Sequence, residues 1–205
     1  MKLVLTGGPS GGKTTLAMAL QREFANKLVV VPESASMLYA GGFPRKNEIK
    51  SIQHRQRAIY FVQRELEAMF QDDFPNHLLV CDRGSLDALA YWQGNPDEFF
   101  TSVETTHDRE IKRYDWVLHL DTAPESYYDL TNPLRVETYE EASRLNEKTK
   151  AAWNNHPQRI VITSEGHFLD KLHRSLFVID CILNGNAYSE VIEKLKKFTS
   201  AGTGK

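Results

Sequence analysis

An α/β fold, with a parallel sheet of five strands and helices on both faces, is predicted by three features of the chain. Short apolar runs near residues 3–5, 28–31, 77–82, 116–120 and 158–163 alternate with longer helical segments, and right-handed crossovers then make the strands parallel. The first run leads directly into Gly7-Gly-Pro-Ser-Gly-Gly12-Lys-Thr-Thr15, the spacing of a phosphate-binding P-loop. The third run ends in Asp82, an acid at the strand position where such proteins support a metal ion.

The glycine-rich loop explains itself chemically. A phosphate needs several donors at once, and Gly7, Gly8, Pro9, Ser10, Gly11 and Gly12 form a turn whose backbone N–H groups can point inward. A helix from Lys13 to about Phe24, with Leu16, Leu20 and Phe24 on one side, adds the positive end of its dipole. Lys13 reaches the β and γ oxygens, Thr14 is a ligand for Mg²⁺, and Thr15 completes the cradle.

Composition bounds the rest. The 205 residues are 41% hydrophobic and 25% charged, which suits one soluble domain over 1–200 with a frayed tail at 201–205. A net charge of −2 gives no general attraction to nucleic acid or anionic lipid. No apolar run is long enough to span a membrane, and strand residues rather than a signal peptide follow Met1, so a cytoplasmic protein is expected. Cys81 and Cys181 lie in apolar segments and read as reduced core thiols.

After the first helix, Leu28-Val-Val-Val31 is a fully buried strand stopped by Pro32. Glu33 then sits at its carboxyl end, where open α/β sheets place their ligand crevice, and opens a short helix over 34–40. Gly41 to Lys46 is a turn whose Arg45 and Lys46 face either an anionic acceptor or water. A long helix over 48–71 buries Ile52, Ile59, Val62, Leu66 and Met69. Gln63 and Arg64 beside that stripe contact either substrate or solvent.

The strand 77–82 has the form of a Walker B strand, with Asp82 supporting Mg²⁺ and Arg83 steadying phosphate charge. Asp87, on a helix over 85–92, either supports this pair or decorates a helix start. A polar helical region over 97–113 follows, then the strand 116–120, whose His119 is a core residue. Between this strand and the last, residues 124–155 form a helix-loop-helix excursion: a helix over 124–130, a break at 131–137, and a capping box Thr138-x-x-Glu141 opening a helix to about Trp153. Such an excursion works as a lid that brings an arginine to developing charge. Arg135 is the first choice and Arg144 the second. The turn Ser164-Glu-Gly166 either wraps a nucleotide base or is only a turn, and two helices close the chain, the first ended by Asn184-Gly185.

The P-loop, Asp82-Arg83-Gly84 and the arginine-bearing excursion together resemble the nucleoside and nucleotide kinase branch of P-loop proteins. That resemblance implies a three-layer P-loop NTPase fold with strand order 2-3-1-4-5 and a helical lid. More closely, Val31-Pro-Glu-Ser-Ala35, Gly41-Gly-Phe-Pro44, the segment from Cys81 to Trp92 and Arg135-Val-Glu137 resemble the AAA-type ATP/GTP-binding family that is similar to ribosylnicotinamide kinase. By similarity with deoxynucleoside kinases, Glu33 would be the base that takes the acceptor hydroxyl's proton.

Two functions follow. The first is a small-molecule kinase that transfers the γ-phosphoryl of Mg·ATP (or GTP) to a nucleoside-like hydroxyl acceptor, with Lys13, Glu33, Asp82, Arg83 and Arg135 in the catalytic machinery. The alternative is a regulatory nucleotide-binding protein with slow hydrolysis. No Asn-Lys-x-Asp guanine-reading motif is present, which favours ATP mildly.

Overall fold

The computed structural model describes residues 1–128 and 137–202. Strands β1 (Lys2–Thr6), β2 (Leu28–Val31), β3 (Leu78–Asp82), β4 (Trp116–Leu120) and β5 (Arg159–Ile162) form one all-parallel sheet in the order β2-β3-β1-β4-β5. This is the expected order. Because β1 pairs with β3 on one side and β4 on the other, the loops after all three strands open into a common crevice.

Alternation along each strand loads both faces. Leu3 and Leu5 of β1 pack with Leu16 and Leu20 of α1 (Lys13–Glu23) and with Ile179 and Ile182 of α8 (Phe168–Leu183). Val4, Leu79 and Cys81 face the other way, toward Leu86, Tyr114 and Trp153. Each such aliphatic side chain contributes about 1.5–3 kcal/mol when fully withdrawn from water. The second face is covered by α3 (Ile49–Asp73) and α7 (Tyr139–Ala152), with α9 (Tyr188–Gly202) extending the first layer through Val191.

Several expectations need correction. The buried stripe of α3 is shifted: Ile52 is buried, but Met69 is 51% exposed, and the other buried positions are Gln56, Tyr60, Gln63 and Glu67. Burial of Glu67 is compensated, since it accepts from Arg113 Nη2 at 2.5 Å and the Tyr114 hydroxyl at 2.7 Å. The region expected as one polar helix is two short ones, α5 (Pro96–Ser102) and α6 (His107–Ile111), and Phe99 and Val103 are buried with Tyr60 and Trp92. Residues 85–92 divide into a 3-10 turn, Ser85–Asp87, and α4 (Ala88–Tyr91).

Within the excursion, a 3-10 turn Glu125–Tyr127 stands where a longer helix was expected, and residues 129–136 lie outside the described residues. The capping box is present: Thr138 N–H donates to Glu141 Oε2 at 3.0 Å, and Glu141 N–H to Thr138 Oγ1 at 3.3 Å. The last helix includes Ala201 and Gly202, which composition alone assigns to a tail. Among the described residues, no helix is long and apolar enough to cross a membrane.

Candidate active site

The P-loop is pressed against the end of β4. A Cβ added to Gly7, whose φ is +126°, would lie 2.0 Å from the Leu120 carbonyl oxygen, and one on Gly12, at φ +91°, 2.6 Å from the Phe168 ring. Only glycine meets both demands. Ser10 also takes a left-handed conformation, at φ 60°. Lys13 is buried, and its ammonium donates to the carbonyls of Gly7 at 2.9 Å and Gly8 at 2.8 Å. Burial, assisted by the Arg83 charge, lowers its pKa to about 7, against the attraction of Asp82, Asp87 and Glu33. Thr14 and Thr15 are exposed on the first turn of α1, open to a ligand.

Across the crevice, β3 ends in Asp82 and Glu33 lies two residues past the end of β2. Asp82 closes β3 and is partly buried, with no hydrogen bond to its carboxylate among the described residues. Burial raises its pKa, and Glu33 and Asp87 add to the rise, while Lys13 and Arg83 oppose it. Arg83 follows in the left-handed region at φ 71°, a conformation that costs a non-glycine residue of order 1 kcal/mol. Its Nε donates to Glu33 Oε1 at 2.5 Å, and its Nη1 lies 3.6 Å from Asp87 Oδ2. Despite its burial, Arg83 is held well above its ordinary pKa by Tyr91, Glu33, Asp87 and Asp82.

Glu33 immediately precedes α2 (Ser34–Ala40), and its side chain accepts from Ser36 Oγ. Burial alone would raise its pKa, but the Arg83 charge and these hydrogen bonds hold it below the ordinary value. Asp87 is buried, and its Oδ1 accepts from Thr6 Oγ1 and Trp153 Nε1, each at 2.6 Å. The pair Glu33–Arg83 is thereby tied to the root of the P-loop.

Two cavities flank this centre. The first, of about 510 Å³, is lined by Glu33, Arg83, Ser85 and Asp87 at the sheet, by Gln56, Tyr60 and Gln63 of α3, and by Tyr39 and Arg45. The Oε1 of Gln63 and the Oγ of Ser85 are buried in its wall with no hydrogen-bond partner among the described residues. The second, of about 720 Å³, lies between the loop after β4 (Asp121, Thr122), the face of α7 (Ser143, Asn146) and the turn Ser164–Gly166.

A family model for an AAA domain matches residues 2–171. The chain belongs to the AAA domain family. No relative is found among curated proteins. Among solved structures, thymidylate kinase from Candida albicans is similar with a TM-score of 0.59 and 17% identity, over 90% of this chain and 92% of that one. Deoxyadenosine kinase from M. mycoides, solved with bound dATP, is similar with a TM-score of 0.59 and 12% identity, over 88% of this chain and 99% of that one. At such identities the likeness shows the fold, which is that of P-loop kinases.

In this AAA domain the expected groups gather unevenly. Lys13, Glu33, Asp82 and Arg83 converge, as their mutual electrostatic effects record. Arg144 does not join them: it is exposed, lies beside Glu140, and lines neither cavity. It falls on the outer face of α7, about 200° around the helix from the buried Asn146. Arg135 lies outside the described residues. Asn146 itself was not singled out from the sequence. Its Oδ1 accepts from the Gly8 N–H and lies 3.0 Å from His119 Nε2, while its Nδ2 donates to Asp121 Oδ1. It ties α7 to the P-loop and β4, and nothing but its place inside an otherwise polar helix distinguishes it in the sequence.

The residues suit Mg²⁺. That ion keeps most of its water and takes one or two protein oxygens beside phosphate, so it needs no cage, and none of three or more His, Cys, Asp or Glu exists among the described residues. The Asp82 carboxylate, which accepts no hydrogen bond among the described residues, would supply the required hard oxygen.

Proposed function

We propose that this AAA domain is a phosphotransferase that moves the γ-phosphoryl of a nucleoside triphosphate, preferentially ATP, to a hydroxyl of a small nucleoside-like acceptor. The observation that carries this reading is the position of the Glu33–Arg83 pair, shared between the P-loop side of the crevice and the wall of the 510 Å³ cavity. A hydroxyl in that cavity would meet a carboxylate and a guanidinium at the edge where a triphosphate on the P-loop ends. The kinase fold of the two similar structures is consistent with it.

In this reading the backbone of Gly7 to Thr15 cradles the phosphates, and the Lys13 ammonium exchanges the Gly7 and Gly8 carbonyls for phosphate oxygens. The Thr14 hydroxyl and Asp82 would hold Mg²⁺, which neutralises charge on the phosphates when bound. The acceptor hydroxyl gives its proton to Glu33 as its oxygen bonds to phosphorus, and the bond to the β-phosphate oxygen breaks. Arg83 moves from Glu33 toward the transferred group, and Arg135 is its counterpart from the excursion over 124–155, acting as a lid. The nucleotide base takes the 720 Å³ cavity, against the turn Ser164–Gly166. A single domain over 1–200 and a cytosolic setting, with Cys81 and Cys181 as free buried thiols, complete the reading.

One observation favours a second reading, a regulatory protein that binds and slowly hydrolyses ATP or GTP. Glu33 is engaged by Arg83 and Ser36 and has a lowered pKa, which makes it a weak base. In the kinase reading, however, Arg83 leaves Glu33 for the transferred group, which removes the largest cause of that lowering. Release of ADP or GDP that rises on adding nucleosides or related hydroxyl metabolites supports the kinase; turnover indifferent to every acceptor supports the regulator.

A further inference from the structure

The acceptor cavity is electrically polarised. At its inner end the carboxylates of Glu33 and Asp87 outnumber the single guanidinium of Arg83. At the outer end, two arginines are gathered. Arg45 lies over the Tyr39 ring, with its guanidinium carbon 3.7 Å from the ring centroid. Arg55, from α3, donates through Nη1 to the carbonyl of Lys46, next to Arg45, at 3.1 Å, and both arginines line the cavity. Both charges bear on the Tyr39 hydroxyl, as do those of Glu33 and Glu137.

Neither arginine is neutralised by a salt bridge among the described residues. A carbonyl satisfies one Arg55 donor without cancelling charge, and the buried Arg55 Nε–H has no acceptor among the described residues. A buried guanidinium N–H left unmet costs stability, unless a ligand meets it.

We infer that the acceptor carries an anionic group, a carboxylate or a phosphate, held by Arg45 and Arg55 at the cavity mouth while its hydroxyl meets Glu33 within. A guanidinium fork matches either anion through paired hydrogen bonds. The polarity of the cavity thus orients the acceptor: its negative end is repelled from Glu33 and Asp87 and drawn to the mouth, which leaves the hydroxyl to face inward. This rests on the kinase reading for the hydroxyl, but the anion subsite stands on the two arginines alone.

The test uses the whole chain, with the nucleotide site filled by a non-hydrolysable ATP analogue for binding and by Mg·ATP for turnover. Uridine is compared with orotidine, which adds a carboxylate, and thymidine with thymidine 3′-monophosphate, which adds a phosphate while leaving the 5′-hydroxyl free. Calorimetry should show at least one anionic member bound about tenfold or more tightly than its neutral partner, and the double variant Arg45→Gln/Arg55→Gln should reduce that preference to within about threefold. Each single variant should remove part of it. The pair that shows the preference identifies carboxylate or phosphate as the source. Equal affinity within both pairs, no binding by any anionic member, or a preference undiminished in the double variant would overturn the inference. Phosphorylation of neutral members alone would leave the kinase reading standing and remove this one. Anion-selective binding without acceptor-stimulated ADP release from any member would do the reverse.

Discussion

Arg83 reaches Glu33 across the crevice, Nε to Oε1 at 2.5 Å, and so joins the carboxyl ends of β2 and β3 through two residues fifty apart in sequence. The left-handed backbone at Arg83 makes this possible. An extended residue after Asp82 would send the guanidinium onward with the chain, whereas the reversal brings it back over the P-loop carbonyl of Gly7, 3.5 Å from Nη1.

Lys13→Ala should leave the fold intact, because the ammonium is bonded to loop carbonyls and not packed into the apolar core. Triphosphate affinity should fall roughly 10- to 100-fold with the loss of a charge-assisted contact, and turnover should vanish. Calorimetric titration with Mg·ATP measures the first, and unchanged affinity with unchanged turnover would remove the P-loop from the account.

Asp82→Asn keeps the side-chain volume and removes the charge. The Mg²⁺ concentration for half-maximal turnover should rise roughly tenfold or more. If the Mg²⁺ dependence of variant and parent coincide, Asp82 is only the end of a strand.

Asn146 and Arg144 make a paired control on α7. Asn146→Ala should weaken nucleotide binding several-fold, since Gly8 N–H loses its acceptor and the loop its tie to α7. Arg144→Ala should change it by less than about twofold, as expected of an exposed surface charge. Equal losses in both variants would contradict the placement of the nucleotide against the inner face of α7.

The α7 pair also shows how far the sequence carries. Strand ends, the P-loop, the helix over 34–40 and the Thr138–Glu141 capping box were legible because each is a local pattern with a local cause. Gln56, Gln63 and Glu67 were not placed by periodicity, because a polar residue facing a cavity or a buried arginine has the same period as one facing water. Asn146 was hidden for the same reason: its partners Gly8, His119 and Asp121 are 138, 27 and 25 positions away. Arg144 was misplaced because an arginine in a lid-like segment says nothing about which side of the helix it occupies.

Asp121 gives a pH signature of the same region. Burial alone would raise its pKa, but hydrogen bonds from His119, Asn146 and Lys150 hold it well below the ordinary carboxylate value. A folded pKa below the unfolded one means that this stabilisation is present above about pH 4 and is lost as pH falls further. Asp121→Asn should therefore cost about 1–2 kcal/mol at pH 7, and less at low pH. Urea unfolding at pH 7 and pH 3.5 checks it, and a penalty that is the same at both values would show that charge is not what matters there.

The most direct measurement is acceptor-stimulated ADP release by the parent chain and by Glu33→Gln, at saturating Mg·ATP, together with nucleotide affinity. The account predicts that a hydroxyl acceptor stimulates the parent, that Glu33→Gln lowers this stimulated rate roughly 10²–10⁴-fold, and that nucleotide affinity barely changes. Acceptor phosphorylation by Glu33→Gln at the parental rate would contradict it.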